Sequence, residues 1–320
     1  MSLPFKTLDV FTTTPYTGNP LAVVTISPGI TLTQRQKQLI ARQFNLSETT
    51  FVHEIDKNEG DASPERRFDI FTRTAELPFA GHPTIGTAAA VWGDGVRRLR
   101  AKAGVIQIES ESVDGSVDGV RRYRAAIPFD VRLHEQRVPF IQHGDESIPE
   151  GIRAAEGGAP LFAIVNGMTF ALIELPSVEV LGSLRTGGAS KLPELPEELL
   201  DDGWRSGWVT RRYYFVRLGS EVANGKTVYK LRTRLVRRDM EDPGTGSAAC
   251  ALASYLSLHI LKEEREIGFE ITQGVEMGRV NRISVDVEVA ELMNGKRKLE
   301  KLYLGGSAVQ VMNGSLVIPE

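Results

Sequence analysis

Glu76-Leu77-Pro78-Phe79-Ala80-Gly81-His82-Pro83-Thr84 and Glu241-Asp242-Pro243-Gly244-Thr245-Gly246-Ser247 are two copies of one phrase, 165 positions apart. Glutamate, proline and glycine recur at the same three places in both copies. Each copy is a tight turn that runs into a stretch of small apolar residues. The repetition predicts two related halves, each of which presents the N-terminus of a helix.

The repeat extends beyond this phrase into the predicted strands. Runs that alternate between apolar and polar residues stand in matching order: 5–10 against 170–175, 68–71 against 233–236, and 105–109 against 268–272. Such alternation predicts strands with one buried face. The shared order of strand, strand, turn, helix and strand therefore indicates an internal duplication.

The two repeated helices are predicted at 83–92 and 247–261. Neither has a wide polar face in its first two turns, and a helix that is apolar nearly all round is normally buried. We therefore expect an α+β fold in which each half is a mostly antiparallel sheet wrapped around its own central helix. A further helix is predicted at 33–44, with Thr33 as its N-cap and Asn45 in the left-handed conformation that ends it.

The chain has 320 residues, of which 41% are hydrophobic and 25% charged, a composition typical of globular proteins. This length favours two domains. We place the first half at 1–124 together with a returning C-terminal segment at about 304–320, and the second half at 125–303.

Charge and cysteine content narrow the possible partners. A net charge of -3 gives no reason to expect a nucleic acid or an acidic membrane surface as a partner. Cys250 is the only cysteine, and the five histidines show no metal-ligand spacing, so we expect neither a disulfide nor a metal. No signal peptide and no apolar run of roughly 20 residues is present, so we expect a cytoplasmic protein that acts on a small molecule.

The two helix starts are candidate anion sites. The first amides of a helix lack intrahelical partners, and the helix dipole favours negative charge there. Pro83 fits the first helical position, while Gly81 and Gly246 permit backbone geometry that a side chain would hinder. Two such ends at one cleft would hold a carboxylate or an enolate. The alternative is that these glycines and prolines only shape turns.

Four side chains near these starts are candidates for chemistry. Glu48, at the start of a strand, is the candidate general base, because partial burial would raise its pKa toward the range useful for proton transfer. His82 could donate to a substrate or shuttle a proton, Asp242 could pair with His82, and Ser247 could donate to a substrate oxygen. Structural alternatives stay open: a surface glutamate, a histidine bonded to loop carbonyls, and two helix caps.

Five phrases of the chain resemble those of the PhzF family, named for a phenazine-biosynthesis isomerase. They lie in family order at 16–23, 45–52, 76–86, 242–248 and 273–279. The resemblance implies a diaminopimelate-epimerase-like fold of two similar halves with the site between them. It also implies an isomerase that transfers protons without a cofactor, and commonly a homodimer.

The resemblance also implies roles for individual residues. By motif position, the acid/base glutamate is Glu48, and the substrate-binding residues are His82, Asp242, Ser247, Gly81 and Gly246. Diaminopimelate epimerase itself uses two cysteines, and the positions that align with them here are Ala80 and Pro243. The sequence therefore argues against racemisation by two thiols.

This chain departs from the family pattern at several places. Gly244 stands where alanine is usual, which we expect to be harmless. Val280-Asn281 replaces the common Pro-Ser, which could change the rim of the pocket and therefore the substrate.

The leading hypothesis is a PhzF-like isomerase in which Glu48 removes a proton from a small carboxylated metabolite and returns it elsewhere on the same molecule. One alternative is an epimerase or racemase that uses Glu48 and a second base. The other is a non-catalytic metabolite-binding protein on the same fold. Inversion of configuration without migration of a double bond would indicate the first alternative, and tight binding without proton exchange the second.

Overall fold

The computed structural model describes residues 1–55, 64–112, 120–140, 149–185, 193–223, 225–237, 240–292 and 295–320. The chain divides into two compact units. The first comprises Met1–Pro128 and Leu304–Glu320, and the second comprises Phe129–Tyr303.

The elements are numbered in chain order. The strands are β1 (Ser2–Val10), β2 (Asn19–Ile26), β3 (Glu48–His53), β4 (Glu65–Thr72), β5 (Glu76–Leu77), β6 (Arg98–Ala101), β7 (Gly104–Ser112), β8 (Arg121–Ala126), β9 (Arg132–Arg137), β10 (Pro160–Val165), β11 (Met168–Glu174), β12 (Arg212–Ala223), β13 (Lys226–Val236), β14 (Glu241–Asp242), β15 (Glu266–Gln273), β16 (Asn281–Glu291), β17 (Arg297–Gly306) and β18 (Ala308–Val317). The helices are α1 (Gln34–Phe44), α2 (Gly81–Val91), α3 (Glu150–Glu156), α4 (Val178–Gly182) and α5 (Gly246–Tyr255).

The sheet of the first unit mixes parallel and antiparallel pairings. Strand β1 pairs antiparallel with β18 and β2, and β2 runs parallel to β3. Strand β3 pairs antiparallel with β4, which pairs antiparallel with the short β5 and parallel with β6. Strands β6, β7 and β8 continue the sheet as antiparallel neighbours.

The second unit repeats this order of pairings. Strand β10 pairs antiparallel with β11, β11 runs parallel to β12, and β12 pairs antiparallel with β13. Strand β13 pairs antiparallel with the short β14 and parallel with β15, which pairs antiparallel with β16. Each unit therefore contains a mixed sheet with two parallel pairings. They join β2 to β3 and β4 to β6 in the first unit, and β11 to β12 and β13 to β15 in the second.

The register of the short strands repeats as well. Glu76 of β5 pairs with Phe71 of β4, and Glu241 of β14 pairs with Val236 of β13. Both members of the second pair follow those of the first by 165 positions. The repeated phrase thus occupies the same place in each unit, at the end of a two-residue strand and in front of a buried helix.

The pairing order corrects two of the strand matches made from the sequence. The run 5–10 lies in β1 and the run 170–175 in and just after β11, but β11 holds the position of β2 in the repeated order. The run 105–109 lies in β7, whereas 268–272 lies in β15, the counterpart of β6. A short alternating run resembles any half-buried strand, so a fixed offset cannot separate neighbouring strands and only the hydrogen-bonded partners do.

Helix α1 has both predicted ends. The Thr33 hydroxyl accepts a hydrogen bond from the Gln36 amide at 3.2 Å, and Gln36 Oε1 accepts one from the Thr33 amide at 2.9 Å. These reciprocal bonds form a capping box. Asn45 ends the helix with φ of 54°, and its amide donates to the carbonyl of Ala41.

The repeated helices are buried along nearly their whole length, as predicted. Helix α2 packs on β1, β2, β3, β8 and β18, and α5 packs on β10, β11 and β16. Helix α5 continues as a π-helical turn at Leu256–Ile260. No helix in the described ranges is long and apolar enough to span a bilayer.

The predicted start of α2 is wrong by two residues. The helix begins at Gly81, so Pro83 is its third residue and not its first. Proline is tolerated there because the amides of the first helical turn have no intrahelical acceptor. The early start places His82 inside the helix, where its position is fixed by the packing of α2.

Gly86 lets α2 lie directly against the sheet. A Cβ atom added at this position would stand 2.4 Å from Leu21 Cδ2 and 2.7 Å from Val10 Cγ2. Both neighbours are fully buried, on β2 and β1 respectively. The helix therefore cannot carry even a methyl group at this point without moving away from the strands.

We expect Gly86→Ala to lower the free energy of unfolding by about 1–3 kcal/mol because the methyl group overpacks the core. The loss should appear although alanine favours a helix by about 1 kcal/mol over glycine. Urea unfolding followed by circular dichroism measures it. Gly93→Ala is the matched control, since a Cβ there meets nothing within 4 Å, and it should change the stability by no more than about 0.5 kcal/mol. Equal stabilities of the two variants would contradict this packing.

Candidate functional site

Glu48 and His82 lie in direct contact in the first unit. Glu48 is the first residue of β3, and His82 is the second residue of α2. His82 Nδ1 lies 3.1 Å from Glu48 Oε2, and the two side chains are 4% and 19% exposed. The structure therefore brings together two residues that the sequence analysis selected separately.

The second ring nitrogen of His82 fixes how protons are placed in this pair. Nε2 lies 3.2 Å from the carbonyl oxygen of Pro20, at the start of β2. A carbonyl only accepts, so Nε2 carries a hydrogen and donates it. Nδ1 then meets the Glu48 carboxyl across a hydrogen bond that needs one proton, on either the nitrogen or the oxygen. The pair is thus a carboxylate beside an imidazolium, or a carboxylic acid beside a neutral imidazole.

The pKa of Glu48 is lowered from its ordinary value of 4.5, which corrects the prediction that burial would raise it. Burial does act to raise the pKa of Glu48, but the hydrogen bond and the charge of His82 outweigh it. A close cationic donor favours the charged form of a carboxyl group more than partial burial disfavours it. At neutral pH Glu48 is therefore an ionised carboxylate, the form that accepts a proton.

Asp242 organises the turn in front of α5. Its Oδ2 accepts from the Thr245 hydroxyl at 2.6 Å, and its Oδ1 accepts from the Gly244 amide at 3.3 Å. Thr245 and not Asp242 is the N-cap residue of α5. Asp242 therefore acts much like the capping carboxylate of the structural alternative, through bonds within the turn that precedes the helix. His82 belongs to the first unit and Asp242 to the second, and their predicted pairing stays a prediction.

Two buried amides that the sequence analysis did not assign hold the same turn. The Gln273 amide nitrogen donates to the Asp242 carbonyl at 2.8 Å, and its oxygen accepts from the Thr245 amide at 3.2 Å. Asn281 Nδ2 donates to the Pro243 carbonyl at 2.6 Å. Gln273 could have been predicted from its position in the phrase 273–279. For Asn281 the sequence offered only its departure from the residue common in the family.

The starts of α2 and α5 differ from that of α1 in having no side-chain cap. Neither Ala80 nor Thr245 accepts a bond from the first helical amides through its side chain, whereas Thr33 does so for α1. Uncapped amides at the positive end of a helix dipole favour an anion. Ser247 is the second residue of α5, is half-buried, and has no side-chain hydrogen bond among the described residues.

Gly81 and Gly246 do not have the unusual backbone geometry that the sequence analysis expected. Each is the first residue of its helix, and neither has a positive φ. A right-handed helical φ is open to every residue, so these glycines are not required by backbone conformation. In the neighbourhood of α5 the residue that does require glycine is Gly274, with φ of 78°.

Cys250 is a buried thiol within helix α5. The side chain is 1% exposed. Burial raises the pKa of the Cys250 thiol far above its usual range, which keeps it protonated.

Each unit is a mixed sheet with a buried central helix, and the first unit also holds a carboxylate–imidazole pair. These features together define the class of protein to which the chain belongs. The model of the phenazine biosynthesis-like protein family (PhzC-PhzF) matches residues 8–200 and 233–314, and the chain belongs to this family. A crystal structure of a PhzF-family protein from Bacillus anthracis shares the fold, with a TM-score of 0.70 and 19% identity over 99% of this chain and 100% of that one.

Several relatives of the chain are named as isomerases. An uncharacterised isomerase of Mesorhizobium japonicum is 32% identical over 97% of both chains. The trans-2,3-dihydro-3-hydroxyanthranilate isomerase of Pseudomonas chlororaphis is 30% identical over 97% of this chain and 98% of its own. The predicted enzyme class, an isomerase of the PhzF family, is confirmed by these relatives.

We expect His82→Ala to raise the pKa of Glu48, because burial still disfavours the carboxylate while its donor is lost. A lowered pKa in the folded state means that ionised Glu48 stabilises the fold at neutral pH, and that this contribution is lost as the pH falls through the lowered pKa. In the variant the carboxylate should protonate at a higher pH. A titration of ¹³C-labelled glutamate side chains by NMR measures the difference.

The matched control for this titration is His53→Ala. His53 Nε2 contacts a different carboxylate of the same unit, that of Asp69, at 2.7 Å. The control should leave the pKa of Glu48 unchanged. A pKa of Glu48 that does not respond to loss of His82 would contradict the assigned contact.

Proposed function

We propose that this protein is a PhzF-type isomerase that moves a proton within a small carboxylated metabolite, with Glu48 as the acid/base group and without a cofactor. The observation that carries the proposal is the contact of Glu48 with His82. It supplies an ionised carboxylate at neutral pH, 19% exposed, that is hydrogen-bonded to the buried ring of His82. Such a group can accept a proton, hold it and release it.

The proposed step balances without any other reactant. The Glu48 carboxylate removes a proton from a carbon next to a carbonyl or conjugated system, and the electron pair left behind delocalises into that system. The resulting carboxylic acid returns the proton to a second carbon, so that a double bond migrates and Glu48 is again a carboxylate. His82 keeps its Nε2 hydrogen on the Pro20 carbonyl throughout and serves as the hydrogen-bond partner of Glu48.

The remaining predicted residues are assigned to substrate binding. The uncapped amides at Gly81 and Gly246 support binding of a carboxylate or of the delocalised anion. The Ser247 hydroxyl would donate to a substrate oxygen. The Asp242 carboxylate would accept a hydrogen bond from an amino or hydroxyl group of the substrate.

We also propose that the two units are pseudo-repeats of the diaminopimelate-epimerase type and that the protein is a homodimer. The repeated order of strand pairings and the shared register at Glu76 and Glu241 support the first part. The two thiols of diaminopimelate epimerase are replaced here by Ala80 and Pro243, which supports the carboxylate as the acid/base group.

We expect Glu48→Gln to lower the rate of proton exchange by at least about 100-fold, because an amide cannot accept the proton. The measurement is incorporation of deuterium from heavy water, followed by NMR and mass spectrometry. It starts with trans-2,3-dihydro-3-hydroxyanthranilate and continues with other small unsaturated carboxylates. Glu65→Gln is the matched control, since Glu65 is a glutamate of the same unit with 21% of its side chain exposed. This control should exchange at the unmodified rate.

Three outcomes would count against the proposal. Full exchange by Glu48→Gln would remove the acid/base assignment. A product of inverted configuration with no migrated double bond would select an epimerase. Tight binding of a metabolite without exchange, across the same panel of carboxylates, would select a binding protein on this fold.

A further inference from the structure

Gly244 and Asn281 compete for one small volume beside the start of α5. A Cβ atom added to Gly244 would stand 2.2 Å from Asn281 Oδ1 and 2.5 Å from Asn281 Cγ. Asn281 is fully buried, so its side chain cannot swing into solvent. Nothing in this geometry speaks against the expectation that glycine in place of alanine at 244 is harmless; with Asn281 present, glycine is the residue that fits at 244 and a residue with a side chain is not.

Asn281 is held in this position from two sides. Its Nδ2 donates to the Pro243 carbonyl at 2.6 Å and to the Arg279 carbonyl at 2.8 Å. These two acceptors fix which way the carboxamide faces and turn Oδ1 toward Gly244. The backbone of Gly274 closes a third side, since a Cβ there would stand 2.5 Å from the Pro243 carbonyl and 3.1 Å from Asn281 Nδ2.

The turn that Asn281 contacts carries the Asp242 carboxylate. The Pro243 carbonyl bonds to Asn281, the next amide donates to Asp242 Oδ1, and the following residue is the N-cap of α5. The turn therefore takes its shape from side chains outside it as well as from its own bonds. A change in the reach of the side chain at 281 must move the Pro243 peptide group or leave its carbonyl unpaired, which is costly in a buried place.

We propose that Asn281 is a positioning residue whose carboxamide fills the space left by the missing Cβ of Gly244, and that positions 244 and 281 together set the location of the Asp242 carboxylate and of the first amides of α5. The part of this inference that concerns catalysis rests on the proposed function.

The coupling is tested first by stability. Gly244→Ala, Asn281→Ser and the double variant are compared with the unmodified protein by thermal unfolding. Gly244→Ala should lower the unfolding midpoint by on the order of 5 °C through overpacking. The double variant should unfold at a higher temperature than Gly244→Ala alone, because serine makes room for the methyl group. Gly182→Ala in the same unit, where a Cβ meets nothing within 4 Å, should leave the midpoint unchanged.

Positioning is tested separately by NMR, with a readout that a purely stabilising residue would not change. Asn281→Ser should shift the amide resonances of Thr245, Gly246 and Ser247, and the double variant should return them toward their original places. The amides of helix α1, which is capped by its own side chains and carries no proposed site residue, serve as the internal control and should not shift. Additive midpoint changes in the cycle, or unshifted resonances at 245–247, would overturn the proposal.

The activity arm separates this proposal from the proposed function. With trans-2,3-dihydro-3-hydroxyanthranilate as the probe, Asn281→Ser should lower kcat/KM for proton exchange by about tenfold, and the double variant should recover it. Loss in Asn281→Ser without recovery in the double variant would count against the coupled pair. No exchange by the unmodified protein would count against the proposed function for this substrate, while unfolding and NMR would still decide the role of Asn281.

Discussion

A helix without a polar face must be covered on every side, and this constraint shapes each unit of the protein. Helices α2 and α5 contain no aspartate, glutamate, lysine or arginine, and both are buried almost throughout. Each is covered by strands of its own unit, and the strand pairings that achieve this follow the same order twice. The turn that precedes each helix lies at an N-terminus without a side-chain cap, where the helix dipole favours an anion.

The two turns occupy the same place between a two-residue strand and a buried helix, but their side chains differ. In the first unit, the start of α2 places His82 in contact with Glu48. Because Nε2 of His82 donates to the Pro20 carbonyl, Nδ1 and the Glu48 carboxyl group share one proton between them. In the second unit, the turn is a network of neutral amides around one carboxylate, with Gln273 holding the Asp242 carbonyl. The repeated arrangement thus carries Glu48, a group suited to proton transfer, in the first unit and Asp242, a group suited to binding, in the second.

The electrostatics of Glu48 depend on a balance that geometry decides. Burial raises the pKa of a carboxyl group, whereas a cationic donor in contact lowers it. At 3.1 Å from His82 Nδ1 the donor prevails, and the carboxylate is ionised under ordinary conditions. From the sequence, burial alone predicts the direction of the shift, because His82 lies 34 positions from Glu48 along the chain and nothing in the sequence shows that the two are in contact. The direction of the pKa shift therefore followed from the tertiary structure only.

The sequence by itself determined the repeated phrase, the burial of the two helices, both ends of α1 and the membership of Glu48 and His82 in the candidate site. These are local properties, written in capping residues, apolar runs and short motifs. Only the tertiary structure decided which strands correspond between the units, since pairing partners lie far apart in sequence. It also decided that Gly244 must lack a side chain, because the atom that excludes one belongs to Asn281. Close packing joins residues that the chain keeps apart, and a single sequence does not record which of them share the same space.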